Sequence, residues 1–371
     1  MRKKSLIYKR IVVKAGTKIL TSKSAKLDKK EIQTLVKQIA NLIKEDIEVI
    51  LVSSGAIVEG MNFLGLKSRP NSLPILQAAA AIGQNQLMKI YEHYFQEERI
   101  VIAQILLTQN DLSNRKRYLN AKNTLFSLLD KNVVPVINEN DTVATDEIKF
   151  GDNDNLSALV ANLVDADCLV ILTDVDGLYC IEKNNKKIKI DIVAKIDSEI
   201  EKMAYKSDHC FSIGGMKTKI EAAKIVTSSG IPCIIANGKK VNILTKIAHN
   251  EKVGTKFLPI KGKLRDKKKW IAFGSKPKGK IFVDKGAKRA LKKMGRSLLS
   301  AGIVDVKGKF VYGDVVRVLD EKSNEFARGL TNYSSDELKL IKGQKTNMIE
   351  KKLGYKYYDE IIHRDNLVVL G

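Results

Sequence analysis

Apolar residues recur along the first 260 positions in two alternating rhythms. Short β-branched or aliphatic runs at 11–13, 48–52, 100–106, 133–137, 168–172 and 231–236 read as strands. Longer stretches between them carry apolar residues three and four apart and read as helices. The clearest is 28–44, with Ile32, Leu35, Val36, Ile39, Leu42 and Ile43 on one stripe, and 76–95, 119–129, 156–163 and 217–229 follow the same spacing. Strand–helix alternation of this kind predicts an α/β fold with a parallel sheet covered on both faces.

Ligands of such sheets collect beyond the carboxyl ends of the strands. The polar signals fall there repeatedly: Lys14-Ala15-Gly16-Thr17, Ser53-Ser54-Gly55, Asn138 to Asp141, and Thr173-Asp174 each follow a strand-like run. Beyond 261 the rhythm breaks. KGKLRDKKK at 261–269 reads as a charged connector within a linker of 261–276. Short strand-like runs at 280–283, 302–306 and 314–319, Gly-rich turns and a helical stretch at 287–294 then predict a small, mainly β unit. The expected division is 8–260, linker, and 277–371.

Composition narrows the class. No apolar run reaches the roughly 18 residues that span a bilayer, so no membrane partner is expected. The basic N-terminus runs into a segment holding Lys14, Gly16 and Lys18 and lacks a signal-peptide pattern. Four scattered cysteines without a CxxC pair argue against zinc and for a reduced, cytoplasmic setting. The formal charge of +23 is unevenly spread: residues 261–371 hold 27 Lys and Arg against 13 Asp and Glu. Such an excess suits nucleic acid or another polyanion, although lysine richness throughout the chain accounts for it equally well.

Against that basic background, 135–155 is crowded with Asn, Asp and Glu: Asn138, Glu139, Asn140 and Asp141, then Asp152, Asn153, Asp154 and Asn155. Single members read as caps or turn residues. Together they suit an ammonium group, a metal ion or oriented backbone amides. IGGMKTK at 213–219 is Gly-rich and opens a helix, so it can lend free amides and lysine charge to a phosphate, yet it is no Walker A loop. Lys14, set directly after a buried strand, calls for an anion, with a snorkelling lysine as the alternative. No histidine lies in these loops. Phosphoryl transfer to a carboxylate fits this inventory, because an ionised acceptor needs no general base.

The motifs VVKAGT (12–17), VSSGAIVEG (52–60), QAAAAIGQ (77–84), PVINEND (135–141), GDNDNLSA (151–158), TDVDGLY (173–179) and GGMKTK (214–219) resemble the glutamate 5-kinases of the amino acid kinase family. GAKRAL, GIVDVKGKFVYGDVVRV and ARGLTNYSSDELKLI resemble a PUA domain, an RNA-binding fold. The resemblance covers nearly the whole chain after the first ten residues. It implies a three-layer α/β sandwich of the amino acid kinase type with a mainly parallel central sheet, followed by a small, mainly β PUA-like barrel. It implies ATP-dependent phosphorylation of the L-glutamate γ-carboxylate, with Mg2+ carried on the phosphates, as the first step of proline biosynthesis.

By that family pattern Lys14 and Lys219 stabilise the transferring group and Asp154 holds them. Ser54, Asp141 and Asn153 take glutamate. Lys14, Gly16, Thr173, Asp174 and the loop of Ile213, Gly214, Gly215, Met216, Lys217, Thr218 and Lys219 take ATP. The resemblance also implies feedback inhibition by proline, homodimers or homotetramers, a glutamyl phosphate reductase as partner, and RNA as a ligand of the PUA-like unit. Relatives usually carry Leu or Phe at the position of Ala15 and Thr or Ser at that of Ile213, so an altered ATP affinity is expected. Two rivals remain at this stage: another kinase of the same fold (for acetylglutamate, aspartate or uridylate), and an RNA-binding or RNA-modifying protein led by the C-terminal unit.

Overall fold

The computed structural model describes residues 7–22, 26–144, 153–181, 187–206, 215–260 and 266–370. Ile213, Gly214 and Asp152 lie outside the described residues. The chain divides into two compact units, residues 1–111 with 116–263 and residues 112–115 with 264–371.

The first part of the chain runs β1 (Arg10–Ala15), α1 (Thr17–Leu20), α2 (Lys29–Lys44), β2 (Glu48–Ser53), α3 (Ala56–Phe63), α4 (Leu73–Glu97), β3 (Ile102–Leu107), α5 (Gln109–Ser113), α6 (Arg115–Leu129) and β4 (Val134–Glu139). It continues through α7 (Asn153–Leu163), β5 (Cys168–Thr173), β6 (Leu178–Ile181), β7 (Lys187–Ile190), β8 (Ile192–Val193), α8 (Ser198–Lys206), α9 (Met216–Ser228), β9 (Cys233–Asn237), α10 (Ile243–Ala248) and β10 (Thr255–Phe257). Eight of these strands form one sheet in the order β3-β4-β2-β1-β5-β9-β10-β8. Every neighbouring pair from β3 to β9 is parallel, β10 runs antiparallel to β9, and β8 runs parallel to β10 at the edge. The mainly parallel sheet expected from the alternation is therefore present.

Strand parity assigns the faces. Side chains of a strand alternate between faces, and Ile11, Val13 and Ala15 of β1 join one core cluster with residues of α2, α4 and α10. Val12 and Lys14 consequently point to the opposite face, where α7 packs on β1 and against α9. Helices on both faces make three layers. Asp28 caps α2, accepting from the Lys30 and Glu31 amides at 3.1 and 3.3 Å.

The α3 helix was not legible, being eight residues long with too few turns to show a period. It packs on α4 at an unusually close approach: a Cβ at Gly60 would overlap the Ala79 carbonyl, and one at Gly83 would overlap the Ala56 carbonyl. Gly55 supplies the left-handed turn (φ 102°) that carries β2 into this helix.

The second unit contains α11 (Asp266–Lys269), a π-helical turn at Trp270–Gly274, β11 (Gly279–Val283), α12 (Lys285–Met294), β12 (Ile303–Gly308), β13 (Val315–Leu319), β14 (Glu325–Leu330), α13 (Ser335–Ile341), α14 (Ile349–Leu353) and β15 (Leu367–Val369). Its five strands follow the order β12-β11-β13-β14-β15. Only β11 and β13 are parallel. Ile281, Val283, Val316, Val318, Phe326, Leu338 and Ile341 form its core. Asp284 caps α12, and a reciprocal Ser334–Glu337 capping box opens α13. Residues 266–274, part of the stretch read as a connector, are helical, with Trp270, Ile271 and Ala272 buried.

Candidate active site

Lys14 is the fifth residue of β1 and is buried, as a lysine seldom is. Parity turns it towards α7 and α9, which deliver its partners. Asp154, second residue of α7, places Oδ1 2.7 Å from Lys14 Nζ. Its Oδ2 lies 3.0 Å from Lys219 Nζ, at the fourth position of α9, and accepts from the Thr218 hydroxyl at 2.7 Å. One carboxylate thus lies between two ammonium groups, all three less than a tenth exposed.

Burial by itself would raise the Asp154 pKa. The charges of Lys14 and Lys219 and the hydrogen bonds outweigh it and hold the group at about 2. Lys219 moves the other way for a lysine: burial lowers its pKa, Asp154 only partly offsets this, and Lys14 adds like-charge repulsion. The formal charges of these three groups sum to +1, and Asp174 adds a further attraction at Lys219. A buried positive charge is costly alone and is relieved by an anion.

The cluster lies beside the carboxyl ends of the parallel strands. Gly16 follows β1, and its missing Cβ would stand 3.4 Å from Lys14 Nζ, so glycine keeps the ammonium accessible from that side. Thr173 ends β5 and donates to the adjoining Asp174 at 3.2 Å. Asp174 is half-exposed and pairs with Lys18 at 3.2 Å. Burial works against its ionised form, but Lys18 holds its pKa below the usual carboxylate range. Gly215 caps α9 in an extended conformation with no side chain closing the helix start, and Met216, Lys217, Thr218 and Lys219 fill its first turn. Backbone amides there are oriented as an anion requires.

A second cluster meets the first through α7. The Asn153 amide nitrogen lies 2.7 Å from the Ser53 carbonyl, 3.0 Å from the Ser54 hydroxyl and 2.9 Å from Asn138 Oδ1. Asn138 in turn donates to Gln84 at 2.7 Å, and Ser53 shares a hydrogen bond with Tyr91 at 2.8 Å. Asp141 stands two residues past β4, half-buried, and its charge acts on Arg69.

Neighbouring residues 153 and 154 of α7 thus serve both clusters. The sequence reading places Ser54, Asp141 and Asn153 in one site and Lys14, Asp154 and Lys219 in another; Asn153 meets Ser54 and Asp154 meets both lysines, while Asp141 acts on Arg69. Gln84, Tyr91 and Arg69 escaped that reading. A glutamine on the buried stripe of a long helix beside Ala80 and Leu87 was the available signal for Gln84, since burying an unpaired amide is unfavourable.

A model of the amino acid kinase family matches residues 9–237. The chain belongs to the amino acid kinase family. A PUA domain model matches residues 279–353. Among amino acid kinase relatives, glutamate 5-kinase of Thermoanaerobacter sp. is 53% identical over 365 residues, covering 97% of this chain and 98% of that protein. Glutamate 5-kinase of Caldanaerobacter subterraneus is 54% identical at the same two coverages. That of Citrifermentans bemidjiense is 48% identical over the full length of both. The amino acid kinase match spans the whole parallel region from β1 to β9 and so contains every residue of both clusters.

Among the described residues no group of three or more His, Cys, Asp or Glu could hold a metal ion, and Asp154 is already engaged by two lysines. No helix among the described residues is long and apolar enough to cross a membrane. Cys168, Cys180 and Cys233 are free.

Proposed function

We propose that this chain transfers the γ-phosphoryl group of ATP to the side-chain carboxylate of L-glutamate, giving L-glutamyl 5-phosphate and ADP at the head of proline biosynthesis. The observation that carries this reading is the buried Lys14–Asp154–Lys219 cluster, joined through α7 to the hydrogen-bonded cluster of Ser54, Asn138 and Asn153. An oxygen of the ionised carboxylate attacks the γ-phosphorus, the bond to the β-γ bridging oxygen breaks, and ADP leaves with that electron pair. No proton must be removed, so positioning and charge neutralisation are the chemistry the protein supplies.

Lys14 and Lys219 neutralise the oxygens of the group in flight, and Asp154 fixes the two ammoniums at their spacing. Ser54, Asn153 and Asp141 hold glutamate, with Asp141 suited to the α-ammonium. Gly16, Thr173, Asp174 and the loop 213–219 receive the nucleotide. Magnesium arrives on the ATP phosphates and supplies further charge neutralisation there. Proline as a feedback inhibitor, a homodimer or homotetramer, a reductase that takes up the labile acyl phosphate, and a cytoplasmic setting with reduced thiols belong to the same reading.

Hydroxylamine trapping of acyl phosphate, with glutamate, ATP and magnesium, is the direct assay. Hydroxamate formed with glutamate, and none with aspartate, or product with neither acetylglutamate nor UMP, is expected. Preference for any of those three acceptors would overturn the assignment.

A second reading concerns the C-terminal unit, for which RNA is the proposed ligand. Residues 261–371, connector included, carry 27 basic residues against 13 acidic ones, which suits a polyanion. A cavity of about 650 Å³ opens at the start of α12, with Arg296, Arg364 and His363 in its wall. Salt-dependent retention of RNA by the full chain tests it.

A further inference from the structure

Four tyrosines on the second unit are turned to solvent where the core has no use for them. Tyr357 is 75% exposed, Tyr312 62%, Tyr358 42% and Tyr355 36%. They are not scattered. Tyr312 and Tyr358 stack at 6.0 Å between centroids with planes 14° apart, and Tyr355 and Tyr357 meet at 4.8 Å. Large aromatic rings gain from burial, so a group of four left outside points to a partner.

The group is also rigidly built. Gly354 (φ 81°) ends α14 and turns the chain into the tyrosine segment. Beneath it, the almost fully buried Tyr333 donates its hydroxyl to the Tyr358 carbonyl and accepts from the Tyr358 amide at 3.3 Å. The Tyr355 hydroxyl bonds Glu337, the residue that closes the α13 capping box. Tyr312 and Tyr358 share a hydroxyl contact at 3.2 Å. Backbone and rings are thus held by core and cap contacts before any ligand arrives.

Charge chooses among partners. The stretch from 350 to 360 reads EKKLGYKYYDE, with Lys351, Lys352 and Lys356 set among the rings and the acids Glu350, Asp359 and Glu360 at its two ends. Lys356 pairs with Asp359 at 2.9 Å, and Lys351 and Lys352 lie exposed on the last turn of α14. Flat rings interleaved with lysine match a ligand that alternates planar bases with phosphates. The bases must be unpaired, because those of a duplex are already stacked on one another.

We propose that Tyr312, Tyr355, Tyr357 and Tyr358 form a stacking platform for single-stranded RNA, with Lys351 and Lys352 meeting its phosphates. This rests on the RNA reading of the C-terminal unit and names a surface for it distinct from the cavity at α12.

The test is fluorescence anisotropy of a labelled, mixed-sequence single-stranded RNA titrated with the full chain over a range of salt. Tyr357→Ala and Tyr312→Ala are expected to weaken binding by roughly 5- to 100-fold each, the range for loss of one stacked base, with the salt slope unchanged. Tyr357→Phe keeps the ring and is expected to bind as the parent does. Lys351→Gln with Lys352→Gln is expected to flatten the salt slope, by about 0.7 per lost phosphate contact. A self-complementary duplex RNA is expected to be indifferent to the tyrosine changes. Unfolding temperatures, which exposed positions barely move, establish that each variant is folded.

If the parent binds single-stranded RNA and both Tyr→Ala variants bind it equally well, the platform is wrong while the RNA reading stands. If the parent shows no salt-dependent RNA affinity, the RNA reading falls and the platform with it. If the alanine variants instead abolish a concentration-dependent dimer seen by sedimentation, with RNA affinity unchanged, the surface is an interface between copies.

Discussion

Lys14 Nζ lies 2.7 Å from Asp154 Oδ1, in an ion pair whose side chains are 6% and 1% exposed. The two residues are far apart in the chain and meet because β1 parity turns one towards the helix whose second residue is the other. Lys219 completes the cluster from α9 at 3.0 Å. Its logic is electrostatic: one buried carboxylate is shared between two ammoniums.

Asp154→Asn should therefore strand two buried positive charges. A loss of about 3–5 kcal/mol in unfolding free energy is expected, as for other broken buried ion pairs. Sulfate should restore part of it, since an added anion replaces the missing charge. Chemical denaturation with and without sodium sulfate reads both effects, and an Asn variant as stable as the parent would refute the role. The same group predicts acid behaviour. Its pKa is held at about 2, below the ordinary aspartate value near 3.9, so its contribution is present above about pH 4 and is lost as pH falls towards 2.

Lys219→Ala should lower kcat by at least ~10²-fold, the usual effect of removing one donor to a charge that develops in the transition state. Steady-state kinetics with saturating glutamate and ATP decide it, and parental turnover in the variant contradicts the assignment.

The lowered pKa of Lys219 gives an alkaline limb. Activity should fall as pH rises through that value, earlier than for an ordinary lysine near 10.4, because the neutral amine no longer balances phosphate charge. Binding of ATP favours the charged form and should take up protons. Calorimetry in two buffers of different ionisation enthalpy measures this. For stability the sign reverses: between the two values the unfolded chain holds a proton that the folded chain does not, so this group makes stability rise with pH.

Asn138→Ala should act mainly on glutamate. It removes the acceptor for Asn153 and the donor to Gln84, all in buried surroundings. A glutamate KM raised roughly 5- to 100-fold, with a smaller change for ATP, corresponds to one unsatisfied buried polar group. Equal effects on both substrates would indicate general loss of structure instead.

Gly60→Ala should part α3 from α4, since the new methyl overlaps the Ala79 carbonyl and neither backbone can swing aside cheaply. A loss of about 1–3 kcal/mol or more is expected by urea unfolding. Because α3 begins directly beyond Ser54, glutamate affinity should weaken as well.

Much of this protein was legible because its signals are local. The 28–44 helix has six apolar residues on one stripe and an Asp cap, and the structure gives α2 at Lys29–Lys44. The strand ends bearing Lys14, Ser54, Thr173 and the Asn/Asp run were visible as small and polar residues after apolar runs. Short elements were not: α3, α10, and the strands β8 and β10 span too few residues for a period to emerge. Gln84, Tyr91 and Arg69 were missed because each belongs to the site only through partners distant in the chain.

By itself the sequence determined the order of strands and helices, the parallel class of the sheet and the residue types available at its carboxyl edge, since hydrophobic period and turn chemistry are properties of neighbouring residues. Residue types and spacing leave open which acid of the crowded segment takes the lysines; the family resemblance singles out Asp154 and Asn153, and the tertiary structure supplies the geometry, with Asp154 between Lys14 and Lys219 and Asn153 bonded to Ser54 and Asn138. Adjacent residues on a helix point about 100° apart. Which direction meets Lys14 depends on how α7 and α9 pack on β1, and packing is settled by contacts between elements remote in sequence.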